Sequence, residues 1–345
     1  MSRALVKDLE ILESLWGSTK PIDLLRFYNK AQDMADLIRF SKSRPRPLIS
    51  LHKIRFTKSD RIVVVVPTSS INGKLAKDVA NVFNPLPIVF VESAGRYFNY
   101  SRSVNAGVRE ALTIDPDWII IANDDLVEVD STKKLVEQIN TNYDADCLLA
   151  RPNIMGRPLI HTTPCGITRS IVPWDLVIAS TDAVRHRELP PFSALIPYYL
   201  SKYGVRHRFR FPKDVEGFSS VKDSIKKERL YFFRKIRQGP YSFLKSCCRD
   251  FLNAGDFGVY SSSLLRKHTF DEIFICGYDD LDFSFLISRL NYDIRIIDFQ
   301  IESVGGTSPL PTSRPLSSGF HELRQILNIS YFFFKNKHEL NGSCT

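Results

Sequence analysis

The stretch RIVVVVPTSSINGKLAKDVANVFNPLPIVFVES, residues 61–93, decides the fold of this chain. Two runs rich in Val and Ile, RIVVVVP (61–67) and PIVFVES (87–93), enclose INGKLAKDVANVF (71–83), whose apolar residues recur at helical spacing. Near-continuous Val/Ile runs bounded by turn residues are typical of strands buried on both faces. The stretch therefore predicts a strand, a crossover helix and a second strand parallel to the first.

The same alternation continues beyond residue 93. Val/Ile runs predict strands, and stretches with apolar residues at helical spacing predict helices. The further predicted strands are WIIIAND (118–124), DCLLARP (146–152), DLVIAS (175–180) and NYDIRIIDFQ (291–300), and the predicted helices are SRSVNAGVREALTI (101–114), STKKLVEQINTNY (131–143) and FSFLISRL (283–290). The chain is therefore predicted to adopt an α/β fold with a mostly parallel central sheet flanked by helices.

Three parts are predicted along the chain. Residues 1–60 are expected to form an N-terminal helical extension, because their leucines recur at helical spacing. Residues 61–310 hold the α/β sheet together with a basic, aromatic-rich insertion at 185–250. Residues 311–345 are expected to be a loop followed by an amphipathic helix at 321–340.

Composition is that of a globular protein. With 345 residues, 43% of them hydrophobic and 25% charged, the chain is long enough to bury a large core, which excludes a disordered or collagenous protein. Its six cysteines have no CxxC spacing, so neither a disulfide framework nor structural zinc is indicated. Without a spanning apolar run or a signal-peptide pattern, we expect a cytoplasmic protein, peripheral at the inner membrane face at most.

Positive charge is concentrated in one segment. The chain carries a formal charge of +9, but residues 185–249 alone contain 16 Lys/Arg against five Asp/Glu. A local field of this sign attracts nucleic acid, an anionic membrane surface or a phosphorylated substrate. Charge by itself leaves these partners open.

Three well-known motifs are absent from the sequence. No GxGxxG follows a predicted strand, and neither GxxxxGK(S/T) nor GxSxG occurs. A dinucleotide site of the Rossmann type, a P-loop and a nucleophile elbow are therefore excluded. Phosphate binding would have to use a metal ion or side chains.

The most informative motif is WIIIANDDL, which places Asn123, Asp124 and Asp125 at the carboxyl end of a predicted buried strand. Ligands bind at that edge in open α/β sheets. Adjacent carboxylates repel each other unless a counter-charge is present, and a divalent cation bridging to a diphosphate supplies one. The alternative is a simple strand-ending turn, in which Asn and Asp are favoured.

A second acidic motif, GYDDLDF, places Asp279, Asp280 and Asp282 just before a predicted helix. Carboxylates in the first turn are favoured by the helix dipole, so a capping role is one interpretation. Three carboxylates in four residues exceed what capping requires. One of them is a candidate base that takes a proton from an attacking hydroxyl.

Polar residues also follow the strand PIVFVES. Glu92 stands at its end and is a candidate acceptor for a ribose or a base, and Arg102 in FNYSRSVNAGVREAL is a candidate partner for a phosphate. Asn99 and Asn105 flank Arg102. Ordinary surface or capping roles remain the alternative for each of these residues.

Taken in this order, the motifs resemble the family-2 glycosyltransferases, which have the GT-A fold. The resemblance covers about 61–180 and 252–308 and omits the N-terminal extension and the basic insertion. The matching elements are IVVVVPT, Glu92 at the end of the second strand, FNYSRSVNAGVREA, IIIANDDL, GDFGVYSSSLL, FDEIFICGYDDLDFSFLISRL and the terminal VGGTS.

The resemblance implies a nucleotide-sugar site, most simply one for a UDP-sugar. Asp124 would contact the nucleotide sugar and Asp125 would ligate Mn²⁺ or Mg²⁺. In the pair Asp279–Asp280, Asp280 would be the general base of an inverting displacement. The residues that would line the nucleotide-sugar pocket are Pro67, Thr68, Glu92, Arg102 and Asn105.

The chain departs from the family pattern at three positions. Glu92 replaces the usual Asp, and Asn123 stands at the first position of the acidic motif. The family often has a metal-binding His before its Gly-Gly-x-Ser, and Ser303 stands there in this chain. Either Glu302 or His321 substitutes for that His, or the metal has fewer protein ligands.

The basic insertion lies where the family recognises its acceptor, which would be a glycan, a lipid or a protein. We expect it to bind an anionic acceptor, such as a lipid-linked phosphate, although a solvated face is the alternative. The residues that would do so are Arg206, Arg208, Arg210, Lys226, Lys227 and Arg229.

Two other functions are compatible with parts of the sequence. A nucleic-acid-binding protein would explain the basic insertion but not the acidic motifs, which repel phosphates unless a metal is present. A nucleotidyltransferase would normally have a Gly/Arg-rich loop after the first strand, and PTSSINGKLAKD is not such a loop. A nucleotide-sugar site accounts for more of the residues than either.

Overall fold

The computed structural model describes residues 3–18, 34–150, 160–163, 167–168, 249–252, 254–275 and 277–303, with single residues between 19 and 33 and between 327 and 336. The chain divides into two compact units. One contains Met1–Arg44, His161–Asp250 and Ser313–Thr345, and the other contains Pro45–Ile160 and Phe251–Thr312. The strands and helices of the described residues follow in chain order.

The strands are β1 (Ser50–Ile54), β2 (Ile62–Thr68), β3 (Ile88–Glu92), β4 (Trp118–Ala122), β5 (Leu126–Glu128), β6 (Cys147–Leu149), β7 (Ile160–Thr163), β8 (Ile167–Thr168), β9 (Arg249–Leu252), β10 (Phe257–Ser261), β11 (Ile294–Ile296) and β12 (Ile301–Ser303). The helices are α1 (Arg3–Trp16), α2 (Met34–Ser43), α3 (Lys74–Val82), α4 (Tyr100–Ala111), α5 (Thr132–Thr141), α6 (Ser262–Lys267) and α7 (Asp279–Arg289). A short 3-10 helix, Leu112–Ile114, follows α4.

Seven strands form the central sheet, in the order β1-β3-β2-β4-β10-β6-β11. The pairs β2–β3, β2–β4 and β6–β11 are parallel, whereas β10 is antiparallel to both of its neighbours and β1 is antiparallel to β3. Five of the seven strands therefore run in one direction. The predicted α/β fold with a mostly parallel sheet is confirmed.

Both faces of this sheet are buried, which explains the continuous apolar runs of β2 and β4. Val64 and Ile120 belong to the core on one face, with Val79 of α3 and Ile139 of α5. The odd-numbered neighbours in the same strands belong to the core on the other face, together with residues of α4, α6 and α7. Alternate residues of one strand thus pack into opposite cores, as the pleat requires.

Two strands of the central sheet were not predicted. Ser50–Ile54 lies within the part that was expected to be helical, and it pairs with β3 at the edge of the sheet. Its sequence, SLHKI, has no Val/Ile run because an edge strand is only partly buried. Phe257–Ser261 inserts between β4 and β6, a placement that depends on partners distant in the chain.

The helical prediction for the N-terminal residues is confirmed for α1 and α2, which belong to the first unit. There Trp16 and Phe40 pack around Phe27, with ring centroids 4.9 Å apart for each pair that includes Phe27. Arg44 donates from Nε to Oε2 of Glu13 over 2.8 Å, and both side chains are largely buried. A buried pair of this kind satisfies two groups that would be costly to bury singly.

Several predicted segments lie outside the described residues. They are the strand DLVIAS (175–180), residues 185–248 of the basic insertion with all six of its candidate anion-binding residues, and the loop before the C-terminal helix. Within the predicted helix at 321–340, helical residues are described between 327 and 336. In the described part of the chain, no helix combines the length and the apolar character needed to cross a membrane.

Gly107 determines how closely α4 approaches the sheet. A Cβ atom at this position would overlap the Cγ1 methyl of Val65 in β2 and the Cγ2 methyl of Val91 in β3. Glycine is therefore needed here for close packing, not for its backbone freedom. This contact brings the first turn of α4 towards the carboxyl edge of the sheet.

Gly107→Ala should lower the stability of the protein. Overpacking of this kind costs about 1–3 kcal/mol, against which the gain in helix propensity is at most about 1 kcal/mol. Thermal denaturation followed by circular dichroism measures the difference. Arg109→Ala, at an exposed position of the same helix, should change the melting temperature little. A Gly107→Ala protein as stable as the unsubstituted chain would contradict this packing argument.

Candidate functional site

The carboxyl ends of β2 and β4 carry the first part of the site. Thr68 ends β2, and its Oγ1 donates to Oδ2 of Asp124 over 2.8 Å in a buried hydrogen bond. The neighbouring Asn123 is held on the other side, because its Nδ2 donates to Oδ1 of Asp256 over 2.9 Å. The turn at residues 123–125 is therefore anchored by the end of β2 and by Asp256, the residue just before β10.

Asp124 and Asp125 are carboxylates withdrawn from water. Burial raises the pKa of Asp124 above its ordinary value, and the charge of Asp125 adds to this, although the bond from Thr68 opposes it. Asp125 is only 6% exposed, and its Oδ1 has no hydrogen-bond partner among the described residues. A buried carboxylate oxygen without a donor requires a counter-charge or a bound water.

The second acidic pair opens α7. Gly277 and Tyr278 both have positive φ angles, 130° and 67°, so the chain turns sharply just before Asp279. Asp279 is 4% exposed, and Ser101 donates to its Oδ2 from Oγ over 3.3 Å. Asp280 is partly exposed, while Asp282 of the same motif is buried. The second motif therefore contributes one buried and one accessible carboxylate as neighbours.

Burial raises the pKa of Asp279 to about 7, and the negative charge of Asp280 contributes to the shift. The backbone N–H of Asp280 and the hydroxyl of Ser101 oppose it by donating to the ionised carboxylate. Asp279 therefore gains and loses its proton near neutral pH. A group that titrates there is suited to accept a proton.

The two acidic pairs converge on Tyr100, the first residue of α4. The pKa of its hydroxyl lies well above the ordinary value, and desolvation is the largest cause. The negative charges of four carboxylates raise this pKa further. Those carboxylates are Asp279, Asp280, Asp125 and Asp124. Because Coulombic effects decline with distance, one hydroxyl affected by all four indicates that the two motifs share one site.

A set of polar residues on α4 fixes the segment 270–274 that leads into the second acidic pair. Asn99 caps α4 and donates from Nδ2 to the carbonyl oxygens of Glu272 and Phe274, over 3.0 and 2.7 Å. Asn105 exchanges two hydrogen bonds with the backbone of Phe270. Arg102 donates from Nε to Oε2 of Glu272 over 3.3 Å. We call these contacts the α4 clamp.

The structure thus brings five of the predicted site residues together, and these are Thr68, Asp124, Asp125, Asp279 and Asp280. Arg102 and Asn105 belong to the α4 clamp. Pro67 is buried in β2 opposite Val91. Glu92 bonds to the loop after β2, since its Oε1 accepts from the backbone N–H of Ile71 over 3.2 Å.

Sequence reasoning did not single out Tyr100, Ser101 or Glu272. Tyr100 and Ser101 lie inside the motif FNYSRSVNAG, between residues that were named, but a helix start gives no sign of which side chains turn towards a distant carboxylate. No local sequence pattern around Glu272 indicates a functional role. Only its contacts with α4 reveal its role.

The position expected to carry a metal-binding His lies next to the first acidic pair. Ser303 in β12 is paired with Leu126 in β5, the residue that follows Asp125. Glu302 is paired with Val127, and His321 lies outside the described residues. Among the residues that the structure describes, no group of three or more His, Cys, Asp or Glu side chains is arranged to hold a metal ion.

The carboxylates are nevertheless compatible with a hard divalent cation. Asp125 Oδ1, which has no partner in the described part of the chain, is an oxygen of the type that Mg²⁺ and Mn²⁺ bind. Magnesium sites commonly use one or two carboxylates and complete their coordination with substrate phosphates and water. Such a site needs no third protein ligand.

No protein-family model matches the chain, and no curated protein matches it significantly.

Asp279→Asn should stabilise the protein at pH 8 and leave its stability nearly unchanged at pH 4. Since the folded-state pKa of about 7 lies above the unfolded value near 3.9, the folded chain binds more protons between these values. Its free energy of unfolding therefore falls as the pH rises from about 4 to about 7. The substitution removes this loss of stability. The difference in melting temperature between Asp279→Asn and the unsubstituted chain should therefore be about 2–5 °C larger at pH 8 than at pH 4.

The control is Asp78→Asn, at an exposed position of α3. It should change the melting temperature equally at both pH values. A pH-independent effect of Asp279→Asn would show that Asp279 ionises in the folded protein as it does in the unfolded one.

Proposed function

We propose that the protein is a glycosyltransferase that moves a sugar from a nucleotide-diphosphate donor, most simply a UDP-sugar, to an acceptor hydroxyl. The observation that carries the proposal is the convergence of two acidic pairs, three of whose four carboxylates are buried, on one hydroxyl at the carboxyl edge of the sheet. One pair has an oxygen without a partner among the described residues, which suits a cation. The other pair includes a carboxyl that titrates near neutral pH, which suits a base.

In this proposal Asp125 binds Mn²⁺ or Mg²⁺ through Oδ1, to which none of the described residues donates. When bound there, the cation would supply positive charge that stabilises the departing diphosphate. Asp124, held in place by Thr68, contacts the sugar or its diphosphate. The backbone of Pro67 and Thr68 and the carboxylate of Glu92 line the nucleotide pocket.

Asp280 is the proposed general base because it is the more accessible member of its pair. Its carboxylate takes the proton of the acceptor hydroxyl while that oxygen bonds to the anomeric carbon. The bond from the anomeric carbon to the diphosphate breaks, and the diphosphate leaves with the electron pair. A single displacement of this type inverts the anomeric centre.

Arg102 supports the site indirectly. Its Nε is paired with Glu272, and only 10% of its side chain is exposed. This pairing favours a positioning role in the α4 clamp over direct contact with the diphosphate. Asn105, with both ends of its amide bonded to Phe270, has the same role.

Loss of the Asp125 carboxylate should weaken metal-dependent nucleotide binding. Asp125→Asn keeps the size of the side chain but removes the charge that the cation requires. We expect its Kd for UDP in the presence of Mn²⁺ to rise more than about tenfold. Thermal-shift titration measures this Kd, because UDP at a concentration 100 times its Kd stabilises the folded chain by about 2.7 kcal/mol.

Glu137→Gln, an exposed change on α5, is the matched control and should bind as the unsubstituted chain does. EDTA should abolish the rise in melting temperature that UDP and Mn²⁺ produce. If UDP has no effect, the same titration with GDP, CMP and dTDP identifies the donor class. Stabilisation by oligonucleotides but by no nucleotide would contradict the proposal and favour a nucleic-acid-binding protein.

Transfer activity should rise with pH and level off above an apparent pKa of about 7. Ionisation of Asp279 adds a negative charge beside Asp280, which favours transfer of the acceptor's proton to the Asp280 carboxylate. Asp280→Asn should lower kcat by about 100-fold or more while nucleotide binding is retained. Initial rates from pH 5 to 9, with nucleotide affinity measured separately, check both expectations. Full activity in Asp280→Asn would show that another group is the base.

A further inference from the structure

His52 lies on β1, the edge strand that the sequence did not predict and that the family resemblance does not cover. Its Nε2 lies 2.9 Å from Oε2 of Glu92, at the carboxyl end of β3. A carboxylate only accepts hydrogen bonds, so this nitrogen carries the hydrogen and donates it. The two side chains are 37% and 31% exposed, which leaves both within reach of a ligand.

Glu92 connects His52 to the loop between β2 and α3. Its other oxygen, Oε1, accepts from the backbone N–H of Ile71 over 3.2 Å. Two residues earlier in this loop, the backbone of Ser69 hydrogen-bonds to Asp124. The loop is therefore held at one end by Glu92 and at the other by the first acidic pair.

We infer that His52 is a positioning residue for nucleotide binding, holding Glu92 in the orientation that fixes the loop 69–71 against Asp124. This inference rests on the proposed function, because it assumes that Glu92 and Asp124 line a nucleotide-sugar pocket. A carboxylate has about four acceptor positions, so after bonding to His52 and Ile71 Glu92 retains about two for a ligand. A carboxylate oriented before the ligand arrives loses less entropy when it binds.

The chain offers a matched set of variants on β1. His52→Ala removes the donor, and His52→Gln retains an N–H at a similar distance from the backbone. Lys53→Ala alters the next residue of the same strand, whose side chain pairs with Glu110 and does not contact Glu92. Lys53→Ala therefore controls for a general weakening of the edge strand.

Two measurements on the full chain test the inference. Hydrogen exchange, followed by mass spectrometry of peptides covering residues 69–73, reports the Ile71 amide without any ligand. We expect exchange about tenfold faster in His52→Ala than in the unsubstituted chain, and near the original rate in His52→Gln and Lys53→Ala. The Kd for UDP with Mn²⁺ should rise about tenfold in His52→Ala and be restored in His52→Gln.

The outcomes separate the inference from the proposed function. Unchanged exchange and unchanged UDP affinity in His52→Ala, with normal binding by the unsubstituted chain, would overturn the role of His52 alone. Equal losses in His52→Ala and Lys53→Ala would do the same, since they would indicate a merely structural effect. If the unsubstituted chain bound none of the nucleotides, the proposed function would fail, and the role of His52 in binding would fail with it.

Discussion

Three carboxylates that are almost fully buried, those of Asp124, Asp125 and Asp279, constrain the structure around them. Burying negative charge is costly unless donors or cations compensate it. Thr68 and Ser101 each donate to one of these groups, and the pKa values of Asp124 and Asp279 are nevertheless raised. The compensation supplied by the described residues is thus incomplete, as the proposed binding of a cation and a proton requires.

The sheet and α4 together maintain this arrangement. Gly107 lets α4 pack closely on β2 and β3, and the first turn of the helix is thereby brought to the sheet edge. At that turn, Asn99 and Arg102 bind the segment 270–274, and this segment leads along the chain to Asp279 and Asp280. One helix therefore joins two acidic motifs that are far apart in the sequence. The residues of FNYSRSVNAG thus support the site through their contacts with other protein groups.

The same arrangement relates stability to function. A carboxyl kept partly protonated near neutral pH makes the fold less stable as the pH rises, and in the proposed reaction it would help the site accept a proton. The oxygen of Asp125 that has no partner among the described residues is another group whose burial opposes folding. Binding of a cation and a nucleotide diphosphate would therefore stabilise the chain as well as assemble the site.

The sequence by itself determined the α/β class, the parallel strands β2, β3 and β4, and the placement of Asp124 and Asp125 at a strand end. These features depend on local patterns, since continuous apolar runs and turn residues report burial and chain direction over a few neighbours. Only the tertiary structure decided that Asp279 joins Asp124 around Tyr100, that β10 inserts between β4 and β6, and that His52 meets Glu92. These contacts join residues far apart in the chain, and their partners are selected by the packing of whole elements, which no local pattern encodes.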